Sequence, residues 1–340
     1  MQKFRMLVLT DHSAHTSENS VYALLQELRK HPRCQQIDTA SRAVSKNALF
    51  FEHGLQRSLL VAPVDEGFYY RPDGGSFKNR LRPASLREYD VILLRLPHPV
   101  PDRFWHFLTR IYPERQIINR PSGIRETSTK HFLLRFPDLC PPMRLCKTAD
   151  DILDFKSQFP VVLKPPLSYG GAGIVKIEGD TVWTYAKTSM PLSQFLAQFK
   201  ENPVEYLGMK FLKNVDQGDK RIIVVNRQVL GASIRLPAKG SWICNVARGG
   251  SAIPAEPDKD EQEIAARLIP LLYEMGVVFF GFDTLVNDEG KRMLSEINTL
   301  SIGGLPQIAQ FTGRPIVKDA AHLLWEYVKS EIYGRPTAVA

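Results

Sequence analysis

The sequence has no long hydrophobic run, few cysteines and no block of like charges. In 340 residues there is no run of about eighteen apolar residues, so no segment is predicted to cross a membrane as a helix. The four cysteines form no CxxC pair and have no histidine at zinc-finger spacing, which argues against a structural zinc site or a redox dithiol. The sequence also lacks internal repeats and low-complexity tracts, which argues against a solenoid or a disordered tail.

The N-terminus and the net charge bear on location and partners. The first residues, MQKFRMLVLTDHS, combine a cationic start with a short apolar stretch that Asp11 and His12 interrupt. We therefore predict a first β-strand in place of a signal peptide, and a cytoplasmic protein. The formal charge of +8 suits nucleic acid, an anionic membrane or anionic small molecules. Because Lys and Arg are spread along the chain, the charge does not decide between these partners.

Alternating strand and helix patterns predict an α/β first domain over residues 1–120. A strand is predicted at Phe4–Leu9, and the continuous apolar stretch Asp90–Arg95 is typical of a strand buried in a parallel sheet. Helices are predicted over Asn19–Lys30, which has Asn19 as its N-cap and one apolar face, and around Asp102–Ile111. Strands that alternate with helices in this way indicate a layered α/β unit.

The rest of the chain predicts two further units and a tail. The middle unit, residues 121–206, contains the strand Pro160–Lys164 and a glycine-rich turn. The last unit, residues 207–333, contains β-branched strands separated by a helix that starts at Asp258 in a capping-box pattern. Residues 334–340 form the tail. The sequence therefore predicts an α/β or α+β protein with three pieces in series.

The segment KPPLSYGGAG, from Lys164 to Gly173, places a lysine at a strand end and follows it with a glycine-rich turn. A lysine there sets a point charge beside a phosphate, and glycines let backbone N–H groups approach anionic oxygens. Neither a Walker A loop nor a Rossmann fingerprint is present. Taken alone, the segment fits a phosphate-binding loop and an ordinary hairpin turn about equally well.

Two further groups of polar residues lie on predicted strands. Glu296 and Asn298 are two residues apart and point to the same face, so with Asp283 on an adjacent strand they offer three hard oxygen ligands suited to Mg²⁺. Arg221, which opens a strand, and Arg235 on the next could bind an acyl phosphate or carboxylate bidentately. The alternative interpretation of both groups is solvated polar residues at strand ends.

In their order along the chain, these segments resemble the ATP-grasp superfamily and, within it, the bacterial glutathione synthetases. The resemblance is carried by six motifs, namely Ile118–Arg125 followed by Lys130, Lys164–Gly173, Gly218–Arg221, Asn245–Gly250, Phe282–Asp283 and Glu296–Asn298. The resemblance implies a Rossmann-like N-terminal domain, a lid domain and a C-terminal ATP-grasp domain.

The resemblance also implies roles for individual residues. The expected ATP-binding residues are Lys130, Lys164, Ser168, Gly170, Gly171, Gly173, Lys210, Phe211, Leu212 and Asp219. Two Mg²⁺ ions, for which Mn²⁺ is expected to substitute, would be bound by Asp283, Glu296 and Asn298. The expected catalytic residues around the reacting carboxylate are Arg221, Arg235, Asn245, Gly249 and Gly250.

The sequence departs from the family's pattern where substrate is expected to bind. The family's Arg-Lys-Asp-Pro-Pro motif is RLPHP here, which keeps Arg95 and places His98 beside it. The family's Ser-Pro-Thr-Gly turn is replaced by LSIGGL, and from it we predict Ser301, Gly303 and Gly304, with Arg95, as substrate residues. These departures leave the identity of both substrates open.

The sequence therefore predicts a carboxylate–amine ligase that uses ATP and proceeds through an acyl phosphate. The expected substrates are γ-glutamylcysteine and glycine. The alternatives are a ligase for another amino acid or peptide pair, and a non-catalytic nucleotide- or nucleic-acid-binding protein. We expect small-molecule substrates, no nucleic-acid or membrane partner, and a homodimer or homotetramer.

Overall fold

The computed structural model describes residues 1–167, 173–184, 188–238, 242, 244 and 251–334. Three β-sheets follow one another along the chain, two of six strands and one of five. Their strands lie within residues 4–118, 143–210 and 219–298. The mixture of helices with three separate sheets agrees with the predicted α/β or α+β class.

The first sheet has the strand order β4-β3-β2-β1-β5-β6. The elements of this part are β1 (Phe4–Thr10), α1 (Ser20–Lys30), β2 (Cys34–Ser41), α2 (Ala48–Phe51), β3 (Ser58–Pro63), α3 (Gly75–Lys78), β4 (Arg82–Ser85), β5 (Val91–Arg95), α4 (Asp102–Ile111) and β6 (Ile117–Ile118). Strands β2, β1, β5 and β6 are parallel, whereas β3 and β4 join antiparallel. In a parallel sheet, side chains that follow β1 and β5 meet at one edge, where ligands commonly bind.

The second sheet has the order β11-β10-β9-β8-β12-β7 and is antiparallel. Its elements are α5 (Pro121–Thr127), which precedes it, then β7 (Met143–Cys146), α6 (Ala149–Lys156), β8 (Val161–Lys164), β9 (Val175–Glu178), β10 (Thr181–Thr184), β11 (Ser189–Pro191), α7 (Leu192–Glu201) and β12 (Tyr206–Lys210). A 3-10 helix covers Lys130–Arg135. Because β12 pairs with both β7 and β8, this sheet extends to Lys210, four residues beyond the boundary predicted at 206.

The third sheet has the order β15-β14-β13-β16-β17 and is also antiparallel. The remaining elements are β13 (Asp219–Val225), β14 (Gln228–Leu236), β15 (Ser251–Ala255), α8 (Lys259–Glu274), β16 (Phe279–Val286), β17 (Arg292–Asn298), α9 (Leu305–Thr312) and α10 (Ile316–Tyr327). Helix α8 begins as predicted, since the Asp258 side chain accepts from the Glu261 N–H and the Glu261 side chain accepts from the Asp258 N–H.

The C-terminal helices pack back onto the first part of the chain. The buried side chains of Phe4 on β1, Leu28 on α1, Leu305 on α9, Trp325 on α10 and Phe279 on β16 belong to one apolar cluster. The first and the last of the three pieces predicted in series therefore share a core, because residues after β17 complete the packing of the first sheet. In the described part of the chain, none of the helices combines the length and the apolar character that crossing a bilayer requires.

Asn119 fixes the linker after the first sheet to the third sheet. Its Nδ2 donates to the carbonyls of Phe279 and Thr299 at 2.6 and 2.7 Å, and its Oδ1 accepts from the N–H groups of Val278 and Phe279. All the hydrogen-bonding capacity of this buried amide is used on backbone groups. The carboxyl edge of the first sheet is thereby held close to the end of β17, where the predicted functional residues lie.

Candidate functional site

A cavity of about 330 Å³, which we name the first cavity, lies where the second and third sheets meet. Its apolar lining includes Val162, Ile174, Met209, Phe211, Leu212 and Leu285. Its polar lining includes Lys164, Lys210, Asp219, Arg221, Arg235, Glu296 and Asn298. An apolar slot beside charged groups suits a flat ring that carries an anionic tail.

The two predicted phosphate lysines approach this site from different elements. Lys164 ends β8, is half-buried, and donates from Nζ to the Ser295 carbonyl at 3.2 Å. Burial lowers the pKa of the Lys164 ammonium, while the charge of Glu296 opposes that shift. Lys130 at the start of the 3-10 helix lies 3.0 Å from Glu296 through its Nζ and is buried. The structure therefore brings both lysines to one carboxylate on β17.

Two arginines and two aspartates form a network on β13, β14 and β16. Arg221 donates from Nε and Nη2 to the two carboxylate oxygens of Asp283, both at 2.8 Å. Arg235 donates to Asp219 at 2.6–2.8 Å, and its Nη2 also lies 2.8 Å from Asp283 Oδ2. The strand register causes this arrangement, because Asp219 pairs with Arg235 and Arg221 pairs with Asp283 across neighbouring strands.

The pKa values of the two aspartates of this network are shifted in opposite directions. Burial acts to raise the pKa of Asp283, but the guanidiniums of Arg221 and Arg235 outweigh it and hold the pKa well below its usual range. Burial, aided by the charge of Asp283, raises the pKa of Asp219, and the charges of Arg235 and Arg221 only partly offset that effect. Asp283 is therefore the firmly ionised member of the pair.

The three predicted metal ligands lie together on paired strands. Asp283 on β16 pairs with Glu296 on β17, and the Asn298 Nδ2 donates to Asp283 Oδ2 at 3.1 Å. Glu296 and Asn298 both line the first cavity, whereas Asp283 is fully buried beneath the arginines. Across the described residues, no group of three His, Cys, Asp or Glu side chains is positioned to hold a metal ion. A cation at this site would therefore depend on the Asn298 oxygen as well as on carboxylates.

A second, more open cavity of about 790 Å³ lies against the first sheet. Its lining includes Arg95 from β5, residues 16–20 before and at the start of α1, and, around α9, Gly303, Gly304, Gln307, Gln310 and Phe311. Arg221 and Arg235 line this second cavity as well as the first. The two arginines thus stand at the boundary, where a group held in one cavity can meet a group held in the other.

The predicted substrate residues connect the first sheet to the loop after β17. Arg95 donates from Nη2 to the carbonyl of Ile302, and the Ser301 hydroxyl donates to the carbonyl of Arg95 at 3.3 Å. The Gly304 N–H donates to the hydroxyl of Ser20 at 3.0 Å. Gly304 has φ +112°, a left-handed value that favours glycine, and it forms the N-cap of α9. Arg95, Ser301, Gly303 and Gly304 are thereby brought together, and all four line the second cavity.

Other predicted residues have different outcomes. Ser168, Gly170, Gly171, Asn245, Gly249 and Gly250 lie outside the described residues. Gly173 is described and adopts φ +71°, as a glycine turn requires. His98 lines neither of the two cavities; burial, aided by the charges of Lys130 and Arg42, lowers its pKa to about 4.

Sequence reasoning missed some lining residues of both cavities. Trp242 and Cys244 line the first cavity, and Glu18 and Phe311 line the second. No local pattern marks these residues, because each is brought to its cavity by packing between parts of the chain that are far apart. The sequence feature that comes closest to indicating these lining residues is the N-cap at Asn19. It predicts where α1 begins, and that helix start lies at the second cavity.

Comparison of sequences supplies relatives for this arrangement. Residues 129–313 match the family described as "Prokaryotic glutathione synthetase, ATP-grasp domain". A glutathione synthetase of Bradyrhizobium diazoefficiens is 32% identical over 277 residues, which cover 80% of this chain and 83% of that protein. A glutathione synthetase of Brucella melitensis is 32% identical over 250 residues, which cover 72% and 75% of the two chains.

Comparison of structures finds the same fold in more distant proteins. The D-cycloserine synthetase DcsG aligns with a TM-score of 0.65 at 15% identity, covering 96% of this chain and 100% of that one. A RiPP-associated ATP-grasp ligase of Chryseobacterium gregarium, solved with ADP and a leader and core peptide, aligns with a TM-score of 0.60 at 17% identity, covering 96% and 97%. At these identities the likeness shows the fold and carries no inference about substrate.

Proposed function

This chain belongs to the prokaryotic glutathione synthetase family and is an ATP-dependent carboxylate–amine ligase of the ATP-grasp class, and we propose that it joins γ-glutamylcysteine to glycine. One structural observation supports the proposal in addition to the family relationship. Arg221 and Arg235 stand between a cavity that suits a nucleotide and a larger cavity that suits a second substrate. A carboxylate bound by these two arginines would lie at the boundary, within reach of a phosphate held in the first cavity.

The reaction transfers the γ-phosphoryl group of ATP to a substrate carboxylate. The bond from the γ-phosphorus to the ADP oxygen breaks and a bond to the carboxylate oxygen forms, which gives an acyl phosphate. The amine nitrogen then attacks the carbonyl carbon, loses a proton, and expels phosphate as the amide forms. Lys130 and Lys164 would neutralise charge on the migrating group. Arg235 would stabilise the oxyanion of the tetrahedral intermediate.

ATP and Mg²⁺ are the cofactors of this family, and the residues of this chain fit both. The apolar lining of the first cavity suits adenine, with Lys210, Phe211 and Leu212 beside it and Asp219 near the ribose. Glu296 and Asn298 present hard oxygen ligands to the same cavity, which is the chemistry that Mg²⁺ requires. Bound Mg²⁺ would neutralise phosphate oxygens during transfer. We propose two ions, with Mn²⁺ as a substitute.

Asp283, the third proposed ligand, has both oxygens engaged by Arg221 and Arg235. Asp283 can contribute to cation binding only if one of these arginines gives up its contact with the carboxylate and the ion takes its place. An arginine released in this way is then available to the substrate carboxylate at the boundary of the cavities. The proposed roles of Asn245, Gly249 and Gly250 beside that carboxylate, and of Ser168, Gly170 and Gly171 over the phosphates, rest on the family pattern.

A different amino acid or peptide pair is the competing proposal. It is favoured by the replacement of the family's motif around Arg95 and by the Gly303–Gly304 turn. Arg95, Gly303 and Gly304 all line the second cavity. The non-catalytic alternative is set aside, because the family relationship shows an enzyme. We propose a cytoplasmic homodimer or homotetramer, which light scattering of the purified protein would test.

The proposed function is tested by measuring products as well as ATP turnover. Purified protein is supplied with ATP, Mg²⁺, γ-glutamylcysteine and glycine, and glutathione and phosphate are quantified together. A parallel panel omits each substrate or replaces it with other dipeptides and amino acids. Glutathione and phosphate formed in equal amounts support the proposal. Turnover on another pair without glutathione overturns the substrate assignment and leaves the ligase class intact.

A further inference from the structure

One stretch of the chain, residues 209–217, which we name the connecting segment, supplies much of the apolar wall of the first cavity. It links β12 of the second sheet to β13 of the third and contains a 3-10 helix over Lys213–Gln217. Its residues that line the cavity are Met209, Lys210, Phe211, Leu212 and Val215. The position of this segment therefore shapes the slot proposed for adenine.

The connecting segment is bonded to the second sheet through its backbone. The N–H of Lys210 donates to the carbonyl of Pro142 at 2.8 Å, and the N–H of Phe211 donates to the carbonyl of Pro160 at 2.8 Å. Pro142 directly precedes β7, and Pro160 directly precedes β8. These bonds fix one side of the segment and do not depend on its side chains.

The other side of the connecting segment contacts the turn between β16 and β17, residues 287–291. Lys210 Nζ lies 2.7 Å from Asp288 Oδ2, and the N–H of Lys213 donates to Asp288 Oδ1 at 3.3 Å. Because Lys213 is the first residue of the 3-10 helix, Asp288 caps that helix from a distant part of the chain. Both oxygens of one carboxylate thus hold the segment against the third sheet.

The turn that carries Asp288 is itself well bonded. The Asn287 Oδ1 accepts from the N–H groups of Glu289 and Lys291 at 3.1 and 2.8 Å. The Asn287 carbonyl accepts from the Gly290 N–H at 3.1 Å, and Gly290 has φ +86°, a left-handed value that favours glycine. The same carbonyl accepts from Asn214 Nδ2 of the connecting segment at 2.7 Å. The turn therefore offers a preorganised support.

The pair formed by Lys210 and Asp288 is partly shielded from water. Each of the two side chains is 24% exposed, so solvent screens their attraction less than it screens a fully exposed pair. The hydrogen bond from Lys210 lowers the pKa of Asp288. Lys210 lines the first cavity, whereas Asp288 lies outside its described lining. An effect of Asp288 on a ligand in this cavity must therefore pass through the connecting segment.

We propose that Asp288 is a positioning residue for the nucleotide, because the turn between β16 and β17 holds in place the wall on which the adenine ring rests. This inference rests on the proposed assignment of adenine to the first cavity. Asp288 contacts neither the nucleotide nor the other substrates. It acts through the side chain of Lys210 and through the start of the 3-10 helix at Lys213.

The test measures the binding of ADP, with Mg²⁺ present, by titration calorimetry on the full chain. Asp288→Asn is expected to weaken ADP binding by about three- to tenfold, since a charge-assisted contact and a helix cap are weakened together. Direct electrostatics predicts the opposite sign, because removing a negative charge near an anion site reduces the repulsion of the phosphates.

Glu289→Gln is the matched control for this charge effect. Glu289 is an exposed residue of the same turn, and its described hydrogen bond is made by its backbone N–H. The substitution removes the same charge as Asp288→Asn and leaves the contacts with the connecting segment in place. This variant is expected to bind ADP at least as tightly as the wild type does.

Two further measurements separate positioning from a general loss of structure. In steady-state phosphate release, Asp288→Asn is expected to raise the KM for ATP and to keep the wild-type kcat and the KM values of the other substrates. In a double-mutant cycle, Asp288→Asn is expected to weaken ADP binding less in a Lys210→Met background than in the wild-type chain, because the pair is already broken there.

Several results would overturn the proposal. Asp288→Asn could bind ADP as tightly as the wild type, Glu289→Gln could weaken binding equally, or the effect of Asp288→Asn could be as large in the Lys210→Met background. A fall in kcat with an unchanged KM for ATP would also overturn it. If the wild-type chain binds no ADP, the assignment of adenine to the first cavity falls as well. The substrate pair is decided separately, by the product assay.

Discussion

Replacing Asp283 with Asn tests whether the network at the boundary of the cavities is as strongly ionic as its geometry indicates. In the wild-type chain, Asp283 is fully buried and accepts from Arg221 twice, from Arg235 and from Asn298. The amide keeps one acceptor oxygen but turns an NH₂ group towards donors. Arg221 then lacks an acidic partner among the described residues, while Arg235 retains Asp219.

The expected loss follows from the burial of these groups. Removing one member of a buried ion pair costs about 3–5 kcal/mol, because the other charge remains desolvated. We therefore expect Asp283→Asn to lower the free energy of unfolding by about 3–5 kcal/mol at neutral pH. The matched variant, Asp219→Asn, should cost less, about 1–2 kcal/mol. Burial raises the pKa of Asp219, so its ionised form gains little from the fold, and Arg235 keeps its contact with Asp283.

Urea denaturation of both variants, without nucleotide or divalent cation, measures these losses. The pH dependence gives a second check. Because the folded pKa of Asp283 lies below the value of about 3.9 for an unfolded aspartate, its stabilising contribution is present above about pH 4 and is lost as the pH falls further. The difference between wild type and Asp283→Asn should shrink over that range. A loss under about 1 kcal/mol, or a larger loss for Asp219→Asn, would refute the reasoning.

Three further outcomes are expected. Glu296→Gln should keep the fold by circular dichroism yet lose most ATP turnover, because a ligand charge is removed by a nearly isosteric change; normal turnover with Mg²⁺ would reject the metal assignment. Lys164→Ala should weaken binding of a nucleotide analogue by about tenfold or more in titration calorimetry. Lys213→Ala should leave that affinity unchanged, because Lys213 is exposed and lies outside the described lining of the first cavity. If Lys164→Ala binds the analogue as tightly as the wild type does, Lys164 has a structural role only. Burial, aided by the charges of His12 and Arg95, lowers the pKa of His15 to about 4, so the free energy of unfolding should fall as the pH drops from about 6.5 towards 4. His15→Asn should make the free energy of unfolding depend less on pH over that range. His53→Asn, at an exposed histidine, should leave the pH dependence unchanged.

Local sequence patterns predicted much of the secondary structure. The helix predicted over Asn19–Lys30 is α1, and the Asn19 side chain caps it as predicted. The strand predicted at Asp90–Arg95 is β5, and the helix over Asp102–Ile111 is α4 with the same bounds. These predictions succeed because caps and apolar periodicity act within a few residues.

The order of the motifs also predicted the family and the ligase class, which the sequence relatives confirm. The prediction that Glu296 and Asn298 share a face needed only the two-residue period of a strand, and both line the first cavity. The assignment of individual residues to ATP, metal and substrate stays a prediction, for which the structure supplies the geometry and the experiments above supply the test.

Tertiary structure alone decided how these side chains pair. No spacing indicates that Asp283 would be bound by Arg221 and Arg235, since that depends on the order β14-β13-β16-β17 and on the register between strands. Nor does the sequence indicate that Arg95 lies between the starts of α1 and α9. Residue 95 and residue 304 come together only because the C-terminal helices pack onto the first sheet. Caps and periodicity are local free-energy terms that the sequence displays directly, whereas the partner of a buried charge is set by contacts between distant segments, which exist only in the folded chain.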